Sequence, residues 1–292
     1  MNNNVIYSIN GPVVTVRDSK DFFMQEMVFV GKKEMMGEVI GIDDHSTTIQ
    51  VYESTTGLMP GEPVRPSGSL LSVELGPGIL KNIFDGIERP LTELMKSEGA
   101  FIAAGTSIAP LDEQKRWDVS VKVSVGDQVV PGQIYAVCPE TELIEHRCMI
   151  APKLSGEVVW TAENGSYRIH DEIVRIRDEQ GQEHSLTLVQ RWPIRNPRPV
   201  SGRMPITRPL ITGQRVIDTL FPIAKGGAAA IPGGFGSGKT MTQHQLAKWC
   251  DADIIVYVGC GERGNEMTQV LEEFSDLIDP KSGMPLLART VL

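Results

Sequence analysis

The sequence predicts a mixed fold in which an α/β domain follows a β-barrel and a second, β-rich insert. Three observations predict it. A glycine-rich stretch leads into the segment Lys239–Trp249, which contains neither proline nor glycine. A continuously apolar, β-branched run follows at residues 253–258, as in a parallel strand that is covered on both faces. Short strand-like segments separated by turn residues occupy residues 1–72 and 110–190.

Residues 1–72 are predicted to close into a small β-barrel. Glycine, aspartate and serine separate strand-like segments at residues 5–9, 13–16, 27–30, 38–42 and 47–51. Short antiparallel strands at such close spacing are typical of barrels, because closure leaves no unpaired strand edge. An oligonucleotide-binding barrel would share this pattern. The net charge of -9 and the lack of paired aromatic residues in a basic groove disfavour it, so we predict no nucleic-acid partner.

Residues 73–109 are predicted to contain a linker and the first part of the α/β domain, and residues 110–190 are predicted to form the insert. In the insert, valines at 119, 121, 123 and 125 alternate with polar residues, which indicates a half-buried strand. Further strands are predicted at 156–159 and 173–176, with turns at 126–127 and 131–132. The pattern is similar to biotinyl- and lipoyl-type barrels, whose carrier lysine lies at a hairpin tip. Lys122 lies in mid-strand between valines, so we predict a solvent-facing lysine instead.

The α/β domain is predicted to occupy residues 191–292 and to begin with a proline-rich link. Residues 191–199 contain three arginines and three prolines. The arginines could pair with acidic neighbours, but we predict a solvated connector.

Residues 233–240 match the complete pattern of a phosphate-binding loop, G-x-x-x-x-G-K-[ST]. In such a loop glycines let backbone N–H groups converge on phosphate oxygens, the lysine reaches the β- and γ-phosphates, and the hydroxyl ligates Mg²⁺. We therefore predict that ATP or ADP binds here and that Thr240 ligates Mg²⁺. The predicted binding residues are Gly233, Gly234, Phe235, Gly236, Ser237, Gly238, Lys239 and Thr240.

The residues on either side supply the context that the loop needs. Residues 228–231 are predicted to form a short buried strand entering the loop, with Pro232 limiting its length. After the loop, residues 242, 246, 249 and 250 recur at helical spacing, which predicts a helix. Its N-terminus would direct unpaired amides and a positive dipole end at the anion. A glycine-rich turn that matches by chance is the alternative, and this context disfavours it.

A second motif, Gly259-Cys260-Gly261-Glu262-Arg263-Gly264-Asn265-Glu266-Met267, follows the apolar run. The run would deliver it to the carboxyl end of a parallel strand, where ligands of open α/β sheets bind. Glu262 would then lie near the γ-phosphate and could orient the attacking water, while Arg263 could hold that carboxylate or line the site. We predict Glu262, Arg263 and Lys239 as the catalytic residues. A surface Glu-Arg pair is the alternative, and the upstream loop disfavours it.

An amphipathic helix is predicted after Gly264. Its apolar residues are Met267, Val270, Leu271, Phe274, Leu277 and Ile278. This helix is expected to pack on the sheet.

The composition leads us to expect a cytoplasmic enzyme with two or three domains. Of 292 residues, 41% are hydrophobic and 22% charged, enough to bury substantial cores. No apolar run approaches the roughly 20 residues of a membrane span, and the first four residues begin no signal peptide. The four cysteines form no C-x-x-C pair, so neither a zinc site nor a disulfide framework is indicated. His146 beside Cys148 falls short of a closed metal site.

Several stretches together resemble the catalytic A (alpha) subunit of V/A-type rotary ATPases. They are residues 213–222, with the sequence GQRVIDTLFP, and residues 225–227, 233–240, 242–249 and 259–267. Residues 75–80 and 83–91 are similar to the segment that joins that family's barrel to its nucleotide domain. The resemblance covers essentially the whole chain, and the non-catalytic partner subunit lacks a full phosphate loop. Ser237 replaces a cysteine typical of eukaryotic relatives, so a bacterial or archaeal type fits better and their disulfide switch is not implied.

The resemblance implies a function and a set of partners. Residues 1–72 would belong to the crown of a hexamer, and residues 110–190 would be a bulge domain that contacts the peripheral stalk. Three such subunits would alternate with non-catalytic B subunits, which supply an arginine to the site. ATP hydrolysis or synthesis would be coupled, through a central stalk, to H⁺ or Na⁺ transport by a membrane sector. The subunit would lie on the cytoplasmic face of the membrane, held there by the complex.

The C-terminal domain is expected to be incomplete. Of the 52 residues after Thr240, none forms the apolar strand ending in aspartate that would complete Mg²⁺ coordination, and residues 277–280 are too short to do so. We expect the N-terminal half of a longer subunit, nearly inactive alone. Two alternatives stay open. One is a fragment that binds nucleotide or partners without hydrolysis. The other is a hexameric nucleic-acid-dependent ATPase, which the insert and the net negative charge disfavour.

Overall fold

The structure, a computed structural model, describes residues 4–18, 20–234, 236–261, 263–279 and 282–292. Its N-terminal strands are β1 (Ile6–Asn10), β2 (Val13–Arg17), β3 (Glu26–Val30), β4 (Met35–Ile42), β5 (Ser46–Val51) and β6 (Val64–Leu70). They form an antiparallel sheet with the order β1-β2-β5-β4-β3-β6.

This sheet closes into the predicted barrel because its two outer strands meet. Val5 and Pro63 form an antiparallel bridge, and the Val64 N–H donates to the Asn4 carbonyl oxygen at 2.8 Å. The strands enclose an apolar core formed by Ile6, Val14, Val16, Phe22, Val28, Val30, Met35, Val39, Ile49, Val51 and Val64. The sequence analysis missed β6, because Pro66 and Gly68 interrupt it and both residue types weaken a strand pattern.

The link and the insert come next. After β7 (Ser72–Leu75) and α1 (Leu91–Glu98), the insert contains β8 (Trp117–Val121), β9 (Gln128–Val129), β10 (Ile134–Pro139), β11 (Glu145–Met149), β12 (Gly156–Thr161), β13 (Gly165–Tyr167), β14 (Val174–Arg177) and β15 (Glu183–Leu186). Two sheets, ordered β11-β10-β8-β13 and β15-β14-β12-β9, share one apolar core. The strand predicted over 119–125 ends at Val121, and Lys122 is exposed as predicted.

The start of the link and the end of the insert lie side by side. β16 (Gln190–Pro193) pairs antiparallel with β7, and Arg195 then donates from Nε and Nη2 to the two carboxylate oxygens of Glu38 in β4, at 2.9 and 2.6 Å. The Glu38 side chain is only 1% exposed. The prediction of a solvated connector over residues 191–199 is therefore wrong in part, because a buried carboxylate needs a charged partner and Arg195 supplies it.

The C-terminal region contains both predicted helices. Its elements are β17 (Pro209–Leu210), α2 (Arg215–Leu220), β18 (Ile223–Ala224), α3 (Lys239–Trp249), β19 (Ile255–Val256), α4 (Gly264–Asp276), a 3-10 turn (Leu286–Arg289) and β20 (Thr290–Val291). β19 and β20 pair in parallel, and Ile255 packs with Val270, Phe274 and Leu286. Within the described ranges, no helix is both long and apolar enough to cross a membrane.

Two expectations for this region are wrong. Residues 228–231 form no strand and are mostly exposed; no described strand pairs with them, and a strand needs a neighbour for its N–H and C=O groups. The strand predicted over 253–258 is limited to β19 and is covered on one face. Ile255 is 6% exposed and faces α4, whereas Val256 is 68% exposed.

We expect Arg195→Ala to raise the opening equilibrium of β4 and β5 by at least about tenfold, because it leaves the Glu38 carboxylate buried with the Tyr52 hydroxyl as its only side-chain donor among the described residues. Amide hydrogen exchange of the full chain measures this. The Arg195 guanidinium, acting against burial, holds the pKa of Glu38 below its ordinary value of 4.5. The pair therefore stabilises the barrel at pH 7, and this contribution is lost as the pH falls below 4.5 toward the folded-state pKa.

Arg65→Ala is the matched control in the same barrel. Arg65 pairs with Glu34, and the two side chains are 54% and 61% exposed. Its loss should change the same equilibrium by no more than about threefold. Equal effects of the two variants would contradict the role of the Glu38–Arg195 pair.

Candidate functional site

Gly236 and Gly238 shape the turn that leads into α3. Their φ angles are 76° and 79°, in the left-handed region where a side chain would be strained. Gly238 is the N-cap residue of α3, and its carbonyl oxygen accepts a hydrogen bond from the Thr242 N–H at 3.0 Å. The first amides of the helix therefore open toward the loop, where an anion could bind them.

Lys239 folds back over the loop. Its Nζ donates to the carbonyl oxygens of Gly233 and Gly234, both at 2.6 Å. The Ser237 hydroxyl donates to the same Gly234 oxygen at 2.9 Å. Two of the three donors of the ammonium are thus bound to the loop backbone, and one remains for an anion.

A cavity of about 470 Å³ lies between this loop and the start of α4, within the size range of small-molecule sites. Its lining residues are Gly236, Ser237, Gly238, Lys239, Thr240, Met241, Gln243, Gly261, Arg263 and Glu266. The structure therefore brings Lys239, Thr240 and Arg263 to one cavity. Phe235 and Glu262 lie outside the described residues, and the roles assigned to all these residues stay predictions.

The sequence analysis gave no role to Gln243 and Glu266, which also line this cavity. Glu266 lies in the first turn of α4, where an acidic residue is ordinary because it complements the helix dipole. Its place within the second motif was the available signal. With Lys239 and Arg263, it gives the cavity two cations and one carboxylate.

The second motif turns sharply between β19 and α4. A Cβ atom added at Gly259 would lie 2.3 Å from the Met267 sulfur, so the absence of a side chain lets the helix pack against the end of the strand. The Arg263 carbonyl oxygen accepts the Glu266 N–H at 3.0 Å and starts α4. Cys260 is exposed between the two elements.

His244 is the buried residue of α3, and the sequence analysis missed it. Its side chain is 1% exposed and its ring packs edge-on against Tyr257, with centroids 5.7 Å apart. Neither ring nitrogen has a hydrogen-bond partner among the described residues. Burial lowers the pKa of His244 from its ordinary value of 6.5, so the ring is neutral at pH 7.

Three protein-family descriptions match the chain. Residues 6–68 match the beta-barrel domain of the ATP synthase alpha/beta family, and residues 213–292 match its nucleotide-binding domain. Residues 108–195 match the ATP synthase alpha/beta subunit barrel-sandwich domain.

Curated relatives match nearly the whole chain. The V-type ATP synthase alpha chain of Halothermothrix orenii is 58% identical over 98% of this chain and 49% of its own length. The corresponding A subunit of the A-type ATP synthase from Methanopyrus kandleri is 54% identical over 100% of this chain and 50% of its own length. The chain thus spans about half the length of these curated relatives.

Among solved structures, the assembled ATPase EscN from the type III secretion system of enteropathogenic E. coli is similar in fold. It matches with a TM-score of 0.54 at 20% identity, over 99% of this chain and 47% of that chain.

We expect Gly238→Ala to destabilise the first turn of α3 by about 1–2 kcal/mol, the cost of the left-handed conformation for a residue with a Cβ. Amide exchange at the start of α3, without nucleotide, measures it. Gly234→Ala is the control: Gly234 lies outside the left-handed region, and an added Cβ would meet no described atom within 4 Å. Equal destabilisation by both variants would show that backbone conformation is not the cause.

We expect His244→Phe to remove a pH dependence from the packing of α3 on α4. Because the folded-state pKa of His244 lies below 6.5, the unfolded chain takes up the proton first, and stability is lost as the pH falls below 6.5. At pH 8 the variant should resemble the wild type, and at pH 5 it should be more stable. Exchange of α3 and α4 at both pH values tests this, with His170→Phe in the insert as control. A wild-type profile that is flat in pH would contradict it.

Proposed function

This chain belongs to the ATP synthase alpha/beta family, and we propose that it supplies the nucleotide-binding part of a catalytic subunit of a V-type or A-type rotary ATPase. The match to the family's nucleotide-binding domain implies that it binds ATP or ADP. The observation that carries the proposal is the cavity shared by Lys239, Thr240 and Arg263 between the phosphate loop and α4.

The loop residues would bind and orient the phosphates. Lys239 would direct its remaining N–H donor at the β- and γ-phosphates, and the first amides of α3 would bind oxygens of the same groups. Arg263 would add a second positive charge on the α4 side of the cavity. Both cations would stabilise the charge that develops on the transferred phosphoryl group.

The cavity also fits a magnesium ion, since it contains oxygen ligands of the kind that Mg²⁺ prefers. The Thr240 hydroxyl would hold the ion, and the Glu266 carboxylate lies in the lining of the same cavity, on the α4 side. Bound there, Mg²⁺ would neutralise charge on the β- and γ-phosphates.

Glu262 would orient the water that attacks the γ-phosphate in line. This assignment is supported by its place between Gly261 and Arg263, which both line the cavity. A carboxylate at that point could accept a proton from the water as the new bond forms.

The whole subunit would work within a larger assembly, as the names of its longer relatives suggest. We assign it to a hexamer in which three copies of this subunit alternate with non-catalytic B subunits. The barrel would form part of the crown, and the insert would contact the peripheral stalk. Rotation of the central stalk would couple ATP hydrolysis or synthesis to H⁺ or Na⁺ movement through a membrane sector. The complex would hold the subunit on the cytoplasmic face of that membrane.

We expect Lys239→Ala in the full-length subunit to abolish ATP turnover by the assembled complex, a loss of at least about 100-fold, because it removes the cation that contacts the transferred phosphoryl group. The measurement is steady-state ATPase activity together with ADP binding. Retained ATP turnover by the Lys239→Ala complex would contradict this mechanism.

Lys225→Ala is the matched control. Lys225 pairs with Asp251 at 2.8 Å and does not line the cavity, so turnover should persist. A wild-type complex that binds ADP without turnover would instead favour a nucleotide-binding role, and turnover that requires RNA would favour a nucleic-acid-dependent ATPase.

A further inference from the structure

A buried carboxylate joins the insert to the link that precedes α1. Glu140 follows β10, and its side chain is 6% exposed. Its Oε1 accepts the Gly78 N–H at 3.0 Å and the Leu80 N–H at 2.9 Å, while Oε2 lies 3.0 Å from His146 Nδ1. Burial acts to raise the pKa of the Glu140 carboxyl, but these bonds outweigh it and leave the pKa below its ordinary value.

The segment that Glu140 binds, residues 77–84, is also bonded to β20. The Lys81 N–H donates to the Thr290 carbonyl oxygen at 2.9 Å, and the Phe84 N–H donates to the Leu292 oxygen at 2.9 Å. In return, the Leu292 N–H donates to the Asn82 oxygen at 3.2 Å. The segment thus lies between the insert and the C-terminal strand pair.

β20 holds β19, the strand that leads into the second motif. Thr290 and Val291 pair in parallel with Ile255 and Val256, and the Tyr257 N–H donates to the Val291 oxygen at 2.9 Å. The chain then enters the turn at residues 259–261. A set of hydrogen bonds therefore runs from Glu140 through residues 77–84 and β20 to Tyr257, four residues before Gly261 in the cavity lining.

We propose that Glu140 is a positioning residue for the nucleotide site, which places Gly261 and Arg263 relative to the phosphate loop through residues 77–84, β20 and β19. The inference rests on the proposed function. It also implies that the insert is mechanically connected to the site, so that a displacement of the insert would shift the α4 side of the cavity. The phosphate loop itself lies outside this set of bonds.

Because the phosphate loop lies outside this set of bonds, loss of Glu140 should change catalysis and leave phosphate binding unchanged. Loosening residues 259–263 should impair the orientation of the attacking water, which depends on Glu262, and leave phosphate binding by Lys239 and the start of α3 intact. Glu140→Ala in the full-length subunit of the assembled complex should therefore lower kcat by roughly tenfold, with the KM for ATP and the affinity for ADP unchanged. Amide exchange in residues 78–84 and 255–261 should rise by a similar factor.

Two further variants test the geometry. Glu140→Gln keeps an oxygen that can accept the Gly78 and Leu80 N–H groups, so its kcat and its amide exchange should be close to those of the wild type. It also tests the proposal if Glu140→Ala fails to fold. Glu145→Ala is the control on the adjoining strand, because Glu145 is 53% exposed and pairs with Arg147 at the surface. It should leave kcat and exchange unchanged.

Faster exchange confined to residues 78–84 and the insert would overturn the proposal, as would equal losses of kcat and ADP affinity. Unchanged exchange in Glu140→Ala would overturn it too. If the wild-type complex shows no ATP turnover, the proposed function fails. The exchange comparison between residues 78–84 and 255–261 still decides whether Glu140 positions the cavity wall.

Discussion

The link and the insert can leave the barrel and return to it only if the start of the link and the end of the insert meet, and the pairing of β7 with β16 meets that requirement. The barrel precedes β7 and the phosphate loop follows β16, so this strand pair sets where each of them attaches. Two short strands give few hydrogen bonds. The Glu38–Arg195 pair adds a charged contact between the returning strand and the barrel, across 157 positions of sequence. Loss of either element would weaken the attachment of the barrel, which is also held by the Glu53 carboxylate, 3.7 Å from Arg89 Nη1.

Apolar residues stabilise the interior of each part of the chain, and buried charged residues stabilise the contacts between parts. The barrel, the insert and the C-terminal region each have an apolar cluster of their own. Where these parts meet, buried carboxylates such as Glu38 and Glu140 make directional bonds instead. Apolar contacts tolerate sliding, whereas a carboxylate buried without its partners costs a large desolvation energy. The joints are therefore fixed in angle by hydrogen bonds, and the interiors of the parts are fixed by packing.

The sequence was sufficient for features that depend on local pattern. Five of the six barrel strands, the alternation at Val119 and the helices α3 and α4 could be predicted, because side-chain periodicity sets which face is buried. Features that depend on distant neighbours could not. The strand expected at 228–231 has no described partner, Glu38 pairs with Arg195 far along the chain, and His244 is buried against Tyr257 although it is polar. The motif was sufficient to bring Lys239 and Thr240 to one cavity, and their role in phosphate binding stays a prediction, whereas Glu266 looked like an ordinary helix-start residue.

The four cysteines differ in solvent accessibility and in reactivity toward thiol reagents. Burial raises the pKa of both the Cys138 and the Cys148 thiol to about 12, so neither supplies a reactive thiolate at neutral pH. Cys260 is exposed and precedes Gly261 at the cavity wall, and Ser237 puts a hydroxyl rather than a thiol in the phosphate loop. A maleimide dye added to the folded chain would thus attach preferentially at Cys260. The molecule carries a natural labelling position, from which fluorescence could follow the segment between β19 and α4 without any engineered cysteine.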